Sequence, residues 1–104
     1  MLIKVKKSEI HGVGLFSVKT YKPKEKIYPV FALDKEINKY LPIKCSIYVN
    51  HKNESNCDVV LIDDVIWMVA KETIKPNTEL TSNYRDLKTL NVDLTHLNID
   101  YDLE

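Results

Sequence analysis

The sequence predicts an all-β architecture of several small sheets with little helix, and three features carry that expectation. Short apolar and β-branched runs recur at close spacing along most of the chain. Turn-forming residues separate them, and only one or two helical turns fit between any two runs.

Leu2-Ile3-Lys4-Val5-Lys6 alternates with the two-residue period of a half-buried strand, and Leu15-Phe16-Ser17-Val18 opens a second strand after a turn. Ile27 to Leu33 and Ser46 to Val49 also have extended character. Between them Asp34 is placed to cap a short helix through Tyr40, with Ile37, Tyr40 and Leu41 on one side and Pro42 beyond its end. Val59-Val60-Leu61-Ile62 and Val65-Ile66-Trp67-Met68-Val69-Ala70 flank Asp63-Asp64, the pattern of a tight hairpin leading into a buried strand. Tyr21-Lys22-Pro23-Lys24-Glu25-Lys26-Ile27 and Ile74-Lys75-Pro76-Asn77-Thr78-Glu79-Leu80 repeat one Pro-centred turn, read here as recurring turn chemistry. After Tyr84, Leu87, Leu90, Leu94 and Leu97 recur at helical spacing, weakened by Val92 and Thr95.

A chain of 104 residues fits one domain, 1–104. Apolar content of 44% with 29% charged residues excludes the disordered and fibrous classes. No window reaches the ~20 apolar residues of a membrane-spanning helix, and Met1-Leu2-Ile3-Lys4 lacks the apolar core of a secretion signal. An intracellular location is expected, in the cytoplasm or in a host nucleus if the source is viral or eukaryotic. Cys45 and Cys57 lie at no recognised metal spacing, so reduced thiols and no metal are expected; zinc with His51 would need further ligands. The net charge is zero but uneven: residues 1–28 hold seven lysines against Glu9 and Glu25, while residues 90–104 hold Asp93, Asp100, Asp102 and Glu104 with no Lys or Arg. A basic front and an acidic tail follow, the latter suited to a basic peptide.

Average usage would give about seven glycines in such a chain. This one has two, Gly12 and Gly14, separated by one residue, which implies a backbone requirement at that turn. No third glycine or helix follows, so it is not a dinucleotide fingerprint. A second polar island, Tyr48-Val49-Asn50-His51-Lys52-Asn53-Glu54-Ser55-Asn56-Cys57, carries carboxamide and imidazole groups able to satisfy a ligand, or to form an Asn-rich surface loop. The third, Glu79-Leu80-Thr81-Ser82-Asn83-Tyr84, ends an extended segment on a tyrosine.

In this order the islands resemble the SET-domain family of protein lysine methyltransferases. Gly12-Val13-Gly14-Leu15-Phe16 is similar to the family's G-x-G-hydrophobic-Phe opening, and Lys22 to Ile27 to its turn-and-Glu segment. Asn50-His51 followed by Asn56-Cys57 matches the frame of N-H-S-C-x-P-N-C without a gap, and Ala70 to Tyr84 resembles the stretch ending E-L-T-x-[DN]-Y. The resemblance covers residues 3–86. It implies a SET-like (β-clip) fold of small curved sheets with a pseudoknot, and S-adenosylmethionine as methyl donor.

It also implies roles. The backbone of Gly12, Val13, Gly14 and Leu15 would meet the cofactor, Asn50 would hold its amino-acid moiety, His51 would contact the adenine through backbone groups, and Tyr84 would be the catalytic hydroxyl. Tyr48, Ser82 and Tyr84 would line the substrate channel. The partner implied is a protein with an exposed lysine, a histone or another basic protein, with no membrane or nucleic acid.

The sequence departs from the pattern at Lys52, Asn53 and Ser55, which replace Ser, Cys and Pro, at Ile47 in place of an Arg, and at Asn77 in place of a turn Gly. The insert between the first two motifs is only about twenty residues, which implies a shallow substrate groove or one completed by another chain, a homodimer included. No cysteine cluster follows Tyr84 to form a zinc-bearing cap, so residues 87–104 are expected to cover the cofactor. Two other classes stay open. One is a binding module that keeps the fold without catalysis, made reasonable by the altered 50–56 loop. The other is a basic-faced nucleic-acid binder, disfavoured by the scarcity of arginine and of aromatics among the lysines.

Overall fold

Strands β1 (Ile3–Lys7) and β2 (Val13–Ser17) pair antiparallel from Ile3↔Ser17 to Lys7↔Val13 in a computed structural model that describes residues 3–90 and Val92. Ile3 is buried as the alternation predicts, but Val5, on the same face of this edge strand, is 41% exposed. The second sheet begins with β3 (Lys26–Asp34) and β4 (Lys39–Pro42). A helix was expected from Asp34 to Tyr40; the chain instead turns at residues 35–38, with Asn38 at φ 54°, and returns as β4 against β3. The Asp34 carboxylate does cap locally, accepting from Glu36 N at 3.0 Å, but as a turn. One or two isolated helical turns nucleate poorly, whereas pairing with β3 supplies backbone partners at once.

Residues 44–48 form a 3-10 turn, Lys44–Tyr48, where an extended segment from Ser46 to Val49 was expected. Next come β5 (Asn50–His51), β6 (Cys57–Ile62) and β7 (Val65–Ala70). The β6–β7 hairpin forms as predicted. Asp63 and Asp64 both have positive φ, 49° and 64°, the signature of a two-residue turn matched to strand twist. Strand β8 (Glu79–Ser82) leads into the helix α1 (Tyr84–Thr89), whose N-cap Asn83 accepts from Arg85 N at 3.0 Å. Leu87 and Leu90 fall on or just after α1; Leu94, Leu97 and the expected cofactor cover beyond Val92 lie outside the described residues.

The sheet orders are β1-β2-β8-β5 and β4-β3-β7-β6. Strand β8 is inserted between the N-terminal β2 and the mid-chain β5, antiparallel to one and parallel to the other, which is the crossing of the expected pseudoknot. The repeated Pro turns are more than recurring chemistry: they pair with each other. Tyr21 and Ile74 exchange both backbone hydrogen bonds at 2.8 and 2.9 Å. Lys24 N donates to Ala70 O as Asn77 N donates to Ser17 O, and both turn residues have positive φ, 69° and 62°. A local twofold therefore relates residues 17–27 to 70–80. Between the sheets lies one apolar core, with Leu15, Phe31, Ile66, Met68, Leu80 and Tyr84 among its most buried side chains.

Candidate active site

The β1–β2 turn brings the first motif to the middle of sheet one. Gly12 takes φ 47°, and Ser8 N bonds Gly12 O at 2.9 Å to close the turn. Ser8 Oγ accepts from Ile10 N at 2.8 Å and His11 N at 3.2 Å. Gly14 does not have positive φ; its requirement is space. A Cβ at that position would lie 2.2 Å from Glu79 Oε2 and 3.3 Å from Asn50 Nδ2. Leu15 is wholly buried and pairs with Val5 on one side and Leu80 on the other, while Val13 is exposed.

Asn50 comes from β5, beside β8, and is 2% exposed. Its Nδ2 donates toward Glu79 Oε2 at 2.8 Å, Ser8 Oγ at 3.0 Å, and the carbonyls of His11 and Val13 at 3.1 Å each. Two protons serve four acceptors, and every hydrogen bond of this carboxamide among the described residues runs through Nδ2. Oδ1 thus has no partner among the described residues and is an acceptor suited to an ammonium. One free carboxamide acceptor beside the glycine turn is compatible with the ammonium of the implied cofactor.

His51 links the second motif to the third. Its Nδ1 accepts from Tyr84 N at 3.0 Å and its Nε2 meets Asn53 Oδ1 at 3.0 Å, so the network assigns the proton to Nε2. The His51 and Tyr84 rings lie 5.2 Å apart. Asn56 pins the altered loop to β8: its Nδ2 donates to Glu79 O at 2.8 Å and its Oδ1 accepts from Thr81 N at 2.9 Å. The replacements at Lys52, Asn53 and Ser55 thus leave the loop anchored at Asn56.

Tyr84 is fully buried, and its hydroxyl donates to Val49 O. Its ring walls an apolar cavity of about 10 Å³, with Phe31, Met68, Leu87, Ser46 and Ser82 among the other walls. That is room for about one water. Ser46 Oγ is buried there without a hydrogen-bond partner among the described residues. Tyr48, expected with Ser82 and Tyr84, instead packs partly buried against the core and does not line this cavity. Neither Ser8 nor Ser46 carries a signal in the sequence, and Glu79 stands out there only as part of the third motif.

The SET domain family model matches residues 7–85. No curated protein matches the chain. Among solved structures, the chain is similar to a Plasmodium falciparum protein described as a candidate histone methyltransferase, with a TM-score of 0.65 and 23% identity over 79% of this chain and 91% of that one. That likeness speaks for the fold, and the mostly β architecture with its inserted β8 agrees with it. Three motifs gathered around Asn50, His51 and Tyr84, on this fold and within the matched span, place the chain in the SET domain family.

Proposed function

We propose that the protein is an S-adenosylmethionine-dependent protein lysine N-methyltransferase. The observation that carries the reading is the junction of the motifs: the Asn50–His51 pair lies against the Gly12–Gly14 turn on one side and bonds the Tyr84 backbone on the other. When bound, S-adenosylmethionine would supply an electrophilic methyl group. Gly12 and Gly14 would present backbone to it, Asn50 Oδ1 would accept from its ammonium, and His51 and the flanking backbone would adjoin the adenine.

What the protein must add is alignment. The Tyr84 hydroxyl spends its proton on Val49 O, so its oxygen offers lone pairs to the N–H of an incoming amine. A substrate lysine, with an ordinary pKa of about 10.4, loses its proton more readily in an apolar channel beside a positive sulfur, and no strong base is needed. Ser82 is a small wall residue beside Tyr84, which leaves space for a water or a further methyl, so products beyond monomethyllysine are expected. The substrate is a lysine in a basic segment of a protein, a histone or a similarly basic partner.

Calorimetric titration with S-adenosylmethionine tests the reading. One site per chain is expected, and Asn50→Ala should weaken it by about ten- to a hundredfold, the loss of a hydrogen bond to a charged group. No heat and no thermal shift at millimolar cofactor would remove the enzyme reading. A second reading, a binding module without catalysis, is favoured by one observation: the cavity beside Tyr84 holds about 10 Å³, too little for a lysine side chain unless its walls open. The same titration separates the two.

A further inference from the structure

We propose that Glu79 is a positioning residue of this site: its carboxylate fixes which end of the Asn50 carboxamide faces the ligand, and Gly14 is glycine in order to admit that carboxylate. Both Glu79 oxygens lie 2.8 Å from Ser8 Oγ, and Oε2 lies 2.8 Å from Asn50 Nδ2. The Ser8 hydroxyl has one proton to give, toward the carboxylate, and accepts from two amides of its own turn. Glu79 therefore ties the β1–β2 turn and β5 together from the strand that lies between β2 and β5.

The orientation of an amide is decided by its neighbours. Turned over, Asn50 would set Oδ1 against the Glu79 carboxylate and the carbonyls of His11 and Val13, three acceptors facing a fourth. Beside a carboxylate that arrangement is repulsive, so Nδ2 faces these three acceptors and Oδ1 faces away from them. Glu79 makes no ion pair among the described residues; two neutral donors hold its charge. A carboxylate behind the amide also favours a cation in front of it. Only this last link, to the cofactor's ammonium, rests on the methyltransferase reading.

Gly14 belongs to the same device. Gly12 is the glycine with positive φ; at Gly14 a methyl group would stand 2.2 Å from Oε2 and 2.8 Å from Cδ of Glu79. The glycine that the sequence marks as a close approach is thus approached by the protein's own carboxylate.

The test uses the full chain and two cycles. In the first, Gly14→Ala should lower the melting temperature by several degrees in the wild type and by almost nothing in a Glu79→Ala background. In the second, Glu79→Gln should weaken S-adenosylmethionine about tenfold, and Asn50→Ala/Glu79→Gln should bind no worse than Asn50→Ala, because Glu79 acts through Asn50. Exchange of the Asn50 side-chain amide protons, followed by NMR without ligand, should quicken at least tenfold in Glu79→Gln. Additive losses in the second cycle would make Glu79 a direct contact and overturn the positioning role. Unchanged affinity with a lower melting temperature would reduce Glu79 to a structural residue, which also overturns it. If the wild type binds no cofactor, the proposed function fails together with the ammonium link. Amide exchange and the Gly14 rescue then still decide the clamp: unchanged exchange, or an equal Gly14→Ala penalty in both backgrounds, refutes it.

Discussion

Replacing Tyr84 by Phe separates the duty the structure gives its hydroxyl, satisfying Val49, from the one proposed for it, holding the amine. The side chain is fully buried, and the hydroxyl satisfies the carbonyl of Val49. Removing it leaves that carbonyl without its partner in an apolar wall, a cost of about 1–3 kcal/mol. Domains of this size have about 5–15 kcal/mol of stability. Even in the least favourable case about 2 kcal/mol remain, and only about 3% of the protein is unfolded. Unfolding therefore cannot reduce activity by more than a few per cent. On the proposed role, losing the hydroxyl should lower turnover on a lysine-rich peptide by about 10²- to 10³-fold, with cofactor affinity nearly unchanged. Urea unfolding, calorimetry and peptide turnover on the same preparations read the three quantities. Turnover within twofold of the wild type would refute the catalytic assignment, and so would a loss matched by lost cofactor affinity.

Ser46→Ala should leave stability unchanged or raise it by about 1 kcal/mol, since it deletes a buried hydroxyl that has no partner among the described residues; a loss above about 1 kcal/mol in urea would mean that the hydroxyl is satisfied. Burial pushes the Cys57 thiol from 9.0 to about 12, whereas Cys45 is half-buried, so a thiol reagent near pH 8 should label Cys45 first, as peptide mass mapping would reveal. The raised thiol favours the folded state fully below pH 9.0, where both states keep the proton, and this contribution is lost as pH rises toward about 12; unfolding midpoints that do not fall for the wild type relative to Cys57→Ala across that window would contradict it. Asp64→Gly, at φ 64° in the β6–β7 turn, should gain about 0.5–1 kcal/mol, because glycine enters this conformation without strain, and a lower melting temperature would show that the Asp64 side chain matters there.

What was legible in the sequence follows from the range of the forces involved. The β6–β7 hairpin could be read because two β-branched runs and an Asp-Asp pair encode strand and turn within a dozen residues. The segment from Asp34 to Tyr40 could not, because its local pattern suits a capped helix and the competing partner is the edge of β3. The 3-10 turn at Lys44–Tyr48 was hidden for a related reason: a short apolar run has no period of its own, and packing against the core settles its form. Within the site, Asn50, His51 and Tyr84 were legible through their motif frame, and the structure brings them together. The need for glycine at position 14 was visible, but its cause, a carboxylate on β8, was not. Ser8 and Ser46 carried no signal, since a serine's role depends on which groups folding places around it.

Mass spectrometry of a lysine-containing basic peptide after incubation with the protein and S-adenosylmethionine tests the central claim most directly. The account predicts added methyl groups on lysine, reaching beyond the monomethyl form, from the wild type and almost none from Tyr84→Phe. Cofactor binding without any methyl transfer across a panel of basic peptides, histone tails included, or equal transfer by both proteins, would contradict it.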